Sequence, residues 1–282
     1  MDLESIAIKI ARSENLPVLP QIVSAVLKLA DDPNASARAM EQVIERDPSI
    51  TAKLLRVSNS AYYGLSQVSS VNRAISVLGM NTVRSLVVSI AYQQLVSGKV
   101  CSTKFDKTQF WLHSLAVGTA CRILGKMKEP VMAEELYSAG LMHDVGILAL
   151  DRFAPEELDS ALALVEEEDL PLSISECRVF GVEHSVVGNL LITKWGLSGL
   201  AGDAIRYHKS PEKIPEDKRF LHVVAAADAL ANEAGFTNQD AENDGVHHTT
   251  MDYLQLPEAQ LEIIKNVIVL EVGKAQEVFQ IN

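Results

Sequence analysis

One short segment places an imidazole beside a carboxylate in an otherwise apolar part of the chain. It reads Gly140-Leu-Met-His-Asp-Val-Gly146, so that His143 and Asp144 are adjacent. A charged carboxylate among apolar side chains is costly unless a cation or hydrogen-bond donors meet it. Imidazole and carboxylate together suit zinc, iron, manganese or nickel. The segment therefore predicts part of a metal site, provided that the rest of the chain supplies further ligands.

Three more histidines lie in helical, apolar sequence and could supply such ligands. His113 stands in Trp111-Leu-His-Ser114, His184 opens a helical segment, and His208 closes another. A single histidine of this kind is more typical of a hydrogen-bonded core residue. The remaining histidines are weaker candidates, because His222 lies near a helix start and His247 and His248 lie in a polar loop.

Asp228 has strongly apolar neighbours in Val223-Val-Ala-Ala-Ala-Asp-Ala-Leu230. A lone ionised aspartate there would cost several kcal/mol unless it met a cation, a metal or good donors. An ion pair with an arginine or a capping role would also explain it. The candidates fall on different predicted helices, and facing helices of a bundle can project such side chains inward. The ordered set therefore favours a metal site over isolated core residues.

Apolar residues recur with helical spacing along nearly the whole chain, and strand-like alternation is absent over any useful length. Ser36 is the expected N-cap of one helix, Pro48 falls in the first turn of the next, and Gly79 is an expected C-terminal glycine. The prediction is an all-α protein. The predicted helices span about 21–31, 36–46, 48–57, 71–78, 81–96, 108–127, 131–142, 144–152, 155–168, 184–195, 199–207, 217–234 and 257–278.

The polar stretch Gly98–Lys107 is the expected boundary between two domains. Residues 1–100 would form an N-terminal bundle of five or six helices, and residues 101–282 a second helical domain that includes the C-terminal helix. Ser173-Ile-Ser-Glu176 resembles a capping box, with Ser173 as N-cap and Glu176 three residues later. Gly235–Met251 is rich in polar residues and is expected to be an exposed, mobile loop.

The composition is that of a globular protein, and it narrows the choice of partners. The 282 residues are 48% hydrophobic and carry a formal net charge of −12. Nucleic acids and anionic membranes attract clustered lysine and arginine, so neither is the expected partner. Three cysteines without a pattern, no basic leader and no apolar run of membrane-spanning length predict a cytoplasmic protein with reduced thiols.

The motifs as a set resemble the HD superfamily of metal-dependent phosphohydrolases, and specifically its HDOD (HD-related output domain) branch in bacterial signalling. The order His113, His143-Asp144, Asp228 resembles the superfamily's metal-binding signature. The HDOD features run from about residue 15 to 232. They are Leu16-Pro-Val-Leu-Pro20, the Asp47-Pro48 helix, Leu54-Leu-Arg-Val-Ser-Asn-Ser-Ala-Tyr-Tyr-Gly64, Ala74-Ile-Ser-Val-Leu-Gly79, Trp111-Leu-His-Ser114, Ala139-Gly-Leu-Met-His-Asp-Val-Gly-Ile147, His184-Ser-Val-Val-Gly188 with Trp195, and Tyr207-His208.

This resemblance implies an N-terminal helical bundle packed on an HD-like helical domain, and it assigns roles to individual residues. Four of them match the core metal ligands: His113, His143, Asp144 and Asp228. His184 and His208 match the additional histidines of two-metal relatives, the HD-GYP cyclic-di-GMP phosphodiesterases. The implied cofactor is a divalent ion of iron, manganese, zinc or nickel, if any is bound.

Two positions depart from those phosphodiesterases. They typically have a lysine where Ile147 stands, and a second histidine where Tyr207 stands. A lysine can neutralise substrate phosphate, and an imidazole can hold a second metal, so both functions are weakened in this chain. HDOD proteins are in general regarded as regulatory outputs.

Two functional hypotheses follow, and the first is favoured. The first is a signalling module that binds partner proteins, and can also bind a small phosphate-containing ligand, without turnover. The second is a metal-dependent phosphohydrolase acting on a nucleotide or phosphodiester. In the second hypothesis Asp144 would be the catalytic residue, orienting the metal-activated water or accepting its proton.

Overall fold

The computed structural model describes residues 5–6, 8, 21–30, 35–60, 63–64, 67–99, 101–197, 199–238 and 245–279. These residues form helices and connecting turns, with no β-strand among them. The prediction of an all-α fold is therefore confirmed. The Leu16–Pro20 motif lies outside the described residues.

The chain divides into two compact units. The N-terminal unit comprises Val18–Leu95 with Gly273–Asn282, and the site unit comprises Met1–Pro17 with Val96–Val272. The C-terminal helix contributes residues to both. The division into domains at residue 100 stays a prediction.

Among the described residues, five helices lie between residues 21 and 96, and they belong to the N-terminal unit except for Val96. They are α1 (Gln21–Ala30), α2 (Ala37–Ile44), α3 (Pro48–Ser58), α4 (Val71–Leu78) and α5 (Met80–Val96).

Side-chain caps begin three of these helices. Ser36, Asp47 and Ser70 each accept hydrogen bonds from backbone amides of the first turn of α2, α3 and α4. Such caps satisfy amide groups that have no partner within the helix. Pro48 occupies the first turn of α3, and Gly79 ends α4 with a positive φ of 84°. The helix ends predicted at Ser36, Pro48 and Gly79 agree with the structure.

The side chain of Asn59, just after α3, is hydrogen-bonded to the backbone of Val68. Its side-chain oxygen accepts from the Val68 amide at 2.8 Å, and its Nδ2 donates to the Val68 carbonyl at 2.8 Å. This pair of bonds fixes the spacing between residues 59 and 68. It gives a structural role to the asparagine of the Leu54–Gly64 motif.

Among the described residues, the site unit contains nine α-helices ahead of the last one. They are α6 (Lys107–Lys128), α7 (Ala133–Leu141), α8 (Val145–Phe153), α9 (Pro155–Glu168), α10 (Leu172–Phe180), α11 (His184–Lys194), α12 (Leu200–Tyr207), α13 (His222–Glu233) and α14 (His248–Leu254). The last helix, α15, spans Glu258–Phe279. Short 3₁₀ helices occupy Pro130–Met132, Pro211–Lys213 and Glu216–Leu221.

Helix α6 is the central element of the site unit. It packs against α7 and α13, while α8 packs on α11, and α12 contacts both α7 and α11. Most of the α6 side chains from Phe110 to Leu124 are buried. This explains why α6 shows almost no polar face in the sequence.

Two glycines allow α8 and α11 to approach at backbone distance. A Cβ added to Gly146 would lie 1.9 Å from the His184 carbonyl oxygen, and one added to Gly188 would lie 2.9 Å from Ile205. Because Gly146 follows Asp144 by two residues, this approach also brings Asp144 towards His184. The glycines therefore set the geometry of the candidate site.

The capping box predicted at Ser173–Glu176 is wrong. Helix α10 begins two residues earlier than predicted, at Leu172, after Pro171 at the N-cap position, where no side chain caps the helix. Glu176 is completely buried, and it accepts from His184 instead. A contact with the start of the next helix, eight residues along the chain, therefore replaces the cap that the sequence suggested.

Among the described residues, no helix is long and apolar enough to cross a membrane.

We expect Gly146→Ala to destabilise the protein, because the new Cβ would overlap the His184 backbone. Overpacking of this kind typically costs about 1–3 kcal/mol, and the cost is higher where backbone must move. The matched control is Gly273→Ala in α15, where an added Cβ meets nothing within 4 Å. There the change should be neutral or stabilising by up to about 1 kcal/mol. Urea unfolding of both variants measures the difference, and equal stabilities would contradict this account of α8 and α11.

Candidate metal centre

All six predicted residues converge inside the site unit. His113 lies on α6, His143 and Asp144 lie in the turn between α7 and α8, and Asp228 lies on α13. His184 is the first residue of α11, and His208 follows the last residue of α12. No more than 6% of any of these six side chains is exposed. The structure thus places four imidazoles and two carboxylates in one buried cluster.

The Nε2 atoms of the histidines point at each other and at the carboxylates. His113 Nε2 lies 3.2 Å from His143 Nε2 and 3.3 Å from Asp228 Oδ1. His184 Nε2 lies 3.5 Å from His208 Nε2. These distances define two histidine pairs, His113 with His143 and His184 with His208.

Asp144 lies between the two pairs. Its Oδ1 atom is 3.3 Å from His143 Nε2, 3.2 Å from His184 Nε2 and 3.3 Å from His208 Nε2. Among the described residues no donor makes a hydrogen bond of regular geometry to this oxygen. Its second oxygen, Oδ2, accepts from Asn238 Nδ2 at 2.6 Å. Asp144 is therefore held by an amide on one side and faces three imidazoles on the other.

Each histidine has its other ring nitrogen bound to an acceptor. His113 Nδ1 lies 2.6 Å from the Phe236 carbonyl oxygen, and His143 Nδ1 lies 2.7 Å from that of Gly140. His208 Nδ1 lies 2.8 Å from the Ile205 carbonyl oxygen. Carbonyl oxygens only accept, so Nδ1 carries the proton in all three rings. In each of these rings the Nε2 atom is thereby left as the ligand atom.

His184 is oriented by a carboxylate instead of a carbonyl. Glu176 Oε2 accepts from both the His184 backbone amide and His184 Nδ1, each at 2.8 Å. A carboxylate that orients a histidine in this way is a frequent second layer around protein metal sites. Glu176, which was expected to take part in a capping box of α10, therefore orients His184 instead.

The arrangement requires positive charge at its centre. With Nδ1 protonated, a neutral imidazole presents a lone pair at Nε2, and two such lone pairs 3.2 Å apart repel each other. A proton or a metal ion between them removes this repulsion. Two nearby carboxylates add further need for a cation.

The position of Asp144 on the chain indicates a role other than helix capping. Asp144 occupies the N-cap of α8, where an aspartate side chain usually accepts from the first-turn amides. Here it makes no such bond, because the side chain turns towards the histidines. Giving up a cap typically costs about 1 kcal/mol. The positive end of the α8 dipole still favours the carboxylate there.

The pKa directions describe the cluster in its metal-free form. Burial opposes ionisation of Asp144, but electrostatic interaction with His143 and contacts with His113 and His184 hold its pKa well below the usual range. Burial likewise opposes ionisation of Asp228, and the charge of Lys209 and contacts with histidines hold its pKa well below the usual range. Both carboxylates are therefore negative at neutral pH.

The histidines divide into two groups. Burial disfavours a charged His113, yet hydrogen bonding to Asp144 and Asp228 raises its pKa to about 9. His184 is also buried, and the Glu176 charge and the contact with Asp144 raise its pKa well above the usual value. Burial lowers the pKa of His208. Without a metal, protons on His113 and His184 therefore supply positive charge at pH 7.

The donor set fits a divalent transition metal. In the described part of the chain, two groups have ligand atoms close enough for one ion, and they are His113–His143–Asp228 and His143–Asp144–His208. Both use His143, whose Nδ1 atom is already bonded to Gly140 and whose Nε2 atom can serve one ion. Nitrogen and oxygen ligands in this mixture suit iron, manganese, zinc or nickel.

The turn after α13 closes over the cluster, which the sequence did not predict. The described residues 235–238 were expected to be part of an exposed loop. Instead the Phe236 carbonyl binds His113, and Asn238 is 4% exposed and binds Asp144. Gly235, with φ of 91°, makes the reversal that directs the chain there. Polar composition alone predicted exposure, and only the long-range contacts reveal the buried role.

Lys209 is a second residue that sequence analysis missed. Its Nζ atom lies 3.1 Å from Asp228 Oδ2, and only 16% of its side chain is exposed. The available signal was its position directly after His208. No motif marked it as part of the site.

The other histidines lie apart from the cluster. His222 Nδ1 lies 3.1 Å from the Thr250 hydroxyl, and the His222 ring stacks on Tyr253 at 5.4 Å between centroids. His247 caps α14, and His248 is exposed at its first residue. These positions agree with their lower rank as ligand candidates.

Comparison with known proteins places the chain in a family. The profile of the HDOD domain matches residues 16–211, which is more than half of the chain. The protein belongs to the HDOD domain family. The resemblance inferred from the motifs is thereby confirmed.

Individual relatives are distant. An uncharacterised protein of Treponema pallidum (strain Nichols) is 23% identical over 219 residues, and the match spans 77% of this chain but only 42% of that protein. The crystal structure of an HDOD domain protein of unknown function from Geobacter sulfurreducens matches with a TM-score of 0.80 and 24% identity, covering 98% of this chain and 95% of the other. A "Putative phosphohydrolase" from Shewanella amazonensis SB2B matches with a TM-score of 0.74 and 21% identity, covering 98% and 97%. These structures support the fold.

We expect metal binding to release at least one proton per ion near pH 7.5. His113 has a pKa raised to about 9, so its Nε2 proton must leave before a metal can bind there. Affinity should then rise by about tenfold per pH unit for each displaced proton, up to about pH 9. Calorimetric titration with manganese in two buffers of different ionisation enthalpy measures the released protons. Binding that releases none would contradict the protonation assigned to His113.

Proposed function

We propose that this protein is a regulatory HDOD module with one buried divalent metal ion, and that it acts by binding partners without turnover. The observation that supports this proposal is a complete ligand cluster that is closed to solvent. At most 6% of any cluster side chain is exposed. A catalytic metal site keeps a position open for water and substrate, whereas a structural one is closed.

The residues around the cluster also favour binding over hydrolysis. Ile147, at the position where the phosphodiesterases typically have a lysine, is 1% exposed and carries no charge for a phosphate. Lys209 already contacts Asp228. A phosphodiester entering this region would therefore meet little of the positive charge that stabilises phosphoryl transfer.

The proposed partners are signalling proteins in the cytoplasm. The net charge of −12 supports protein partners over nucleic acid or an anionic membrane. A small phosphate-containing ligand would have to bind with the help of the metal ion. The HDOD assignment supports a signalling role at the level of the family.

The second candidate is a metal-dependent phosphohydrolase. The position of Asp144 between two histidine pairs favours this function. The carboxylate is ionised, and its Oδ1 atom lies within 3.3 Å of the Nε2 atoms of His143, His184 and His208. His113, His143, Asp144 and Asp228 would hold the ion, with His184 and His208 as additional ligands. A bound metal would supply Lewis acidity and lower the pKa of a bound water. Asp144 would orient that water or accept its proton.

We expect purified protein to contain about one iron, manganese, zinc or nickel ion per chain, and Asp228→Ala to lose it. Asp228 is a member of one of the two ligand groups, and its removal leaves two histidines. The control is Asp252→Ala on α14, an exposed aspartate outside the cluster. Elemental analysis after reconstitution with each metal measures the number of ions per chain in the wild type and in both variants. Wild-type protein that stays free of metal would refute both candidate functions.

We expect no metal-dependent hydrolysis by the reconstituted protein. Bis(p-nitrophenyl) phosphate, cyclic dinucleotides and nucleotides would be tested with manganese and iron, against the rate with metal alone. The closed cluster and the uncharged Ile147 are the reasons for this expectation. Turnover in the wild type that disappears in Asp228→Ala but survives in Asp252→Ala would favour the phosphohydrolase.

A further inference from the structure

Lys209 places a positively charged group beside the cluster. Its Nζ atom lies 3.1 Å from Asp228 Oδ2, with 16% of the Lys209 side chain and 6% of the Asp228 side chain exposed. Lys209 directly follows His208 at the end of α12, whereas Asp228 lies on α13. The contact therefore joins two of the helices that form the site.

The two oxygens of Asp228 have different partners. Oδ1 faces His113 Nε2 at 3.3 Å and accepts from Asn232 Nδ2 at 3.2 Å. Oδ2 faces Lys209. Asn232 orients the carboxylate from the same helix, and Lys209 adds a charge that Asn232 does not supply.

The formal charges of the cluster show what that lysine does. Three buried carboxylates lie in or beside it, those of Asp144, Asp228 and Glu176. With neutral imidazoles, Lys209 reduces the net charge of this group from minus three to minus two. One divalent ion then neutralises it. Without Lys209 the same carboxylates would attract a metal ion more strongly, since charges in a buried site are weakly screened.

We propose that Lys209 is a built-in counter-cation that stabilises the metal-free cluster and weakens metal binding, so that occupancy is reversible. This inference rests on the proposed metal site. Lys209 and the metal ion compete for the same negative charge, although they contact different oxygens of Asp228. The metal-free and metal-bound forms are thus closer in free energy than they would be with an uncharged residue at position 209.

A purely positioning role would have the opposite effect on affinity. Loss of a residue that orients a metal ligand typically weakens metal binding by 10- to 100-fold. Loss of a competing charge tightens it. The sign of the change therefore separates the two roles.

The test compares manganese affinity and the melting temperature of metal-free protein in four variants. Lys209→Gln keeps a hydrogen-bond donor without the charge, Lys209→Met removes both, and Lys209→Arg keeps the charge. Lys213→Gln is the matched control, because Lys213 lies in the same segment with 69% of its side chain exposed. Calorimetry gives the dissociation constant, and thermal unfolding in chelator gives the melting temperature.

We expect Lys209→Gln and Lys209→Met to bind manganese at least about tenfold more tightly than wild type, once each affinity is corrected for the protons that the histidines release on binding. Their metal-free forms should melt several degrees lower, because an uncompensated buried Asp228 remains. Lys209→Arg and Lys213→Gln should stay near wild type in both measurements. If Lys209→Met does not fold, Lys209→Gln alone decides the sign.

Unchanged or weaker binding in Lys209→Gln, with metal-binding wild type, would overturn this inference and leave the proposed metal site intact. Wild-type protein that binds no manganese, iron, zinc or nickel would overturn both. The two failures are therefore distinguishable.

Discussion

The site depends on one constraint, the mutual repulsion of buried groups that all face inward as acceptors. Three imidazoles use Nδ1 to donate to carbonyl oxygens, and His184 uses it to donate to Glu176. Their Nε2 atoms and the Asp144 carboxylate are left to face one another. Such a cluster is stable only with positive charge inside it, from protons, from Lys209 or from a metal ion. The surrounding fold must hold these groups together against that repulsion.

Close packing of the helices holds these groups together. Gly146 lets α8 approach the backbone of α11 at His184, and Gly140 leaves room for Cys121 on α6. A side chain at either position would separate the helices that carry the histidines. The turn at 235–238 then covers the cluster from the end of α13, with Asn238 on Asp144. The same features that bring the candidate ligands together also close the site, so the convergence of these side chains and the exclusion of solvent have a common cause.

The sequence predicted the parts of this structure that have local causes. Helical periodicity, the cap at Ser36, the proline in the first turn of α3 and the glycine at the end of α4 are encoded within a few residues. The six clustered residues were recognisable because charged side chains stood out in apolar helices and because their order matched a family. Glu176, Lys209 and Asn238 were missed because their partners are distant in the chain. Glu176 stands three residues after Ser173, so the sequence fits a capping box there. It binds His184 instead, because a buried carboxylate needs hydrogen-bond donors.

A closed cluster suits regulation through stability more than through surface chemistry. An ion that binds only the folded protein stabilises it according to its concentration relative to the dissociation constant. This stabilisation would act on the elements that carry the candidate ligands, which are α6, α11, α12, α13 and the turn between α7 and α8. Because Lys209 keeps a positive charge beside Asp228, the cluster does not depend on the ion for its folding to the extent that a small zinc domain does. On the proposed function, the metal would then adjust the rigidity of a module that is already folded, and the surface that partners bind would respond to that rigidity.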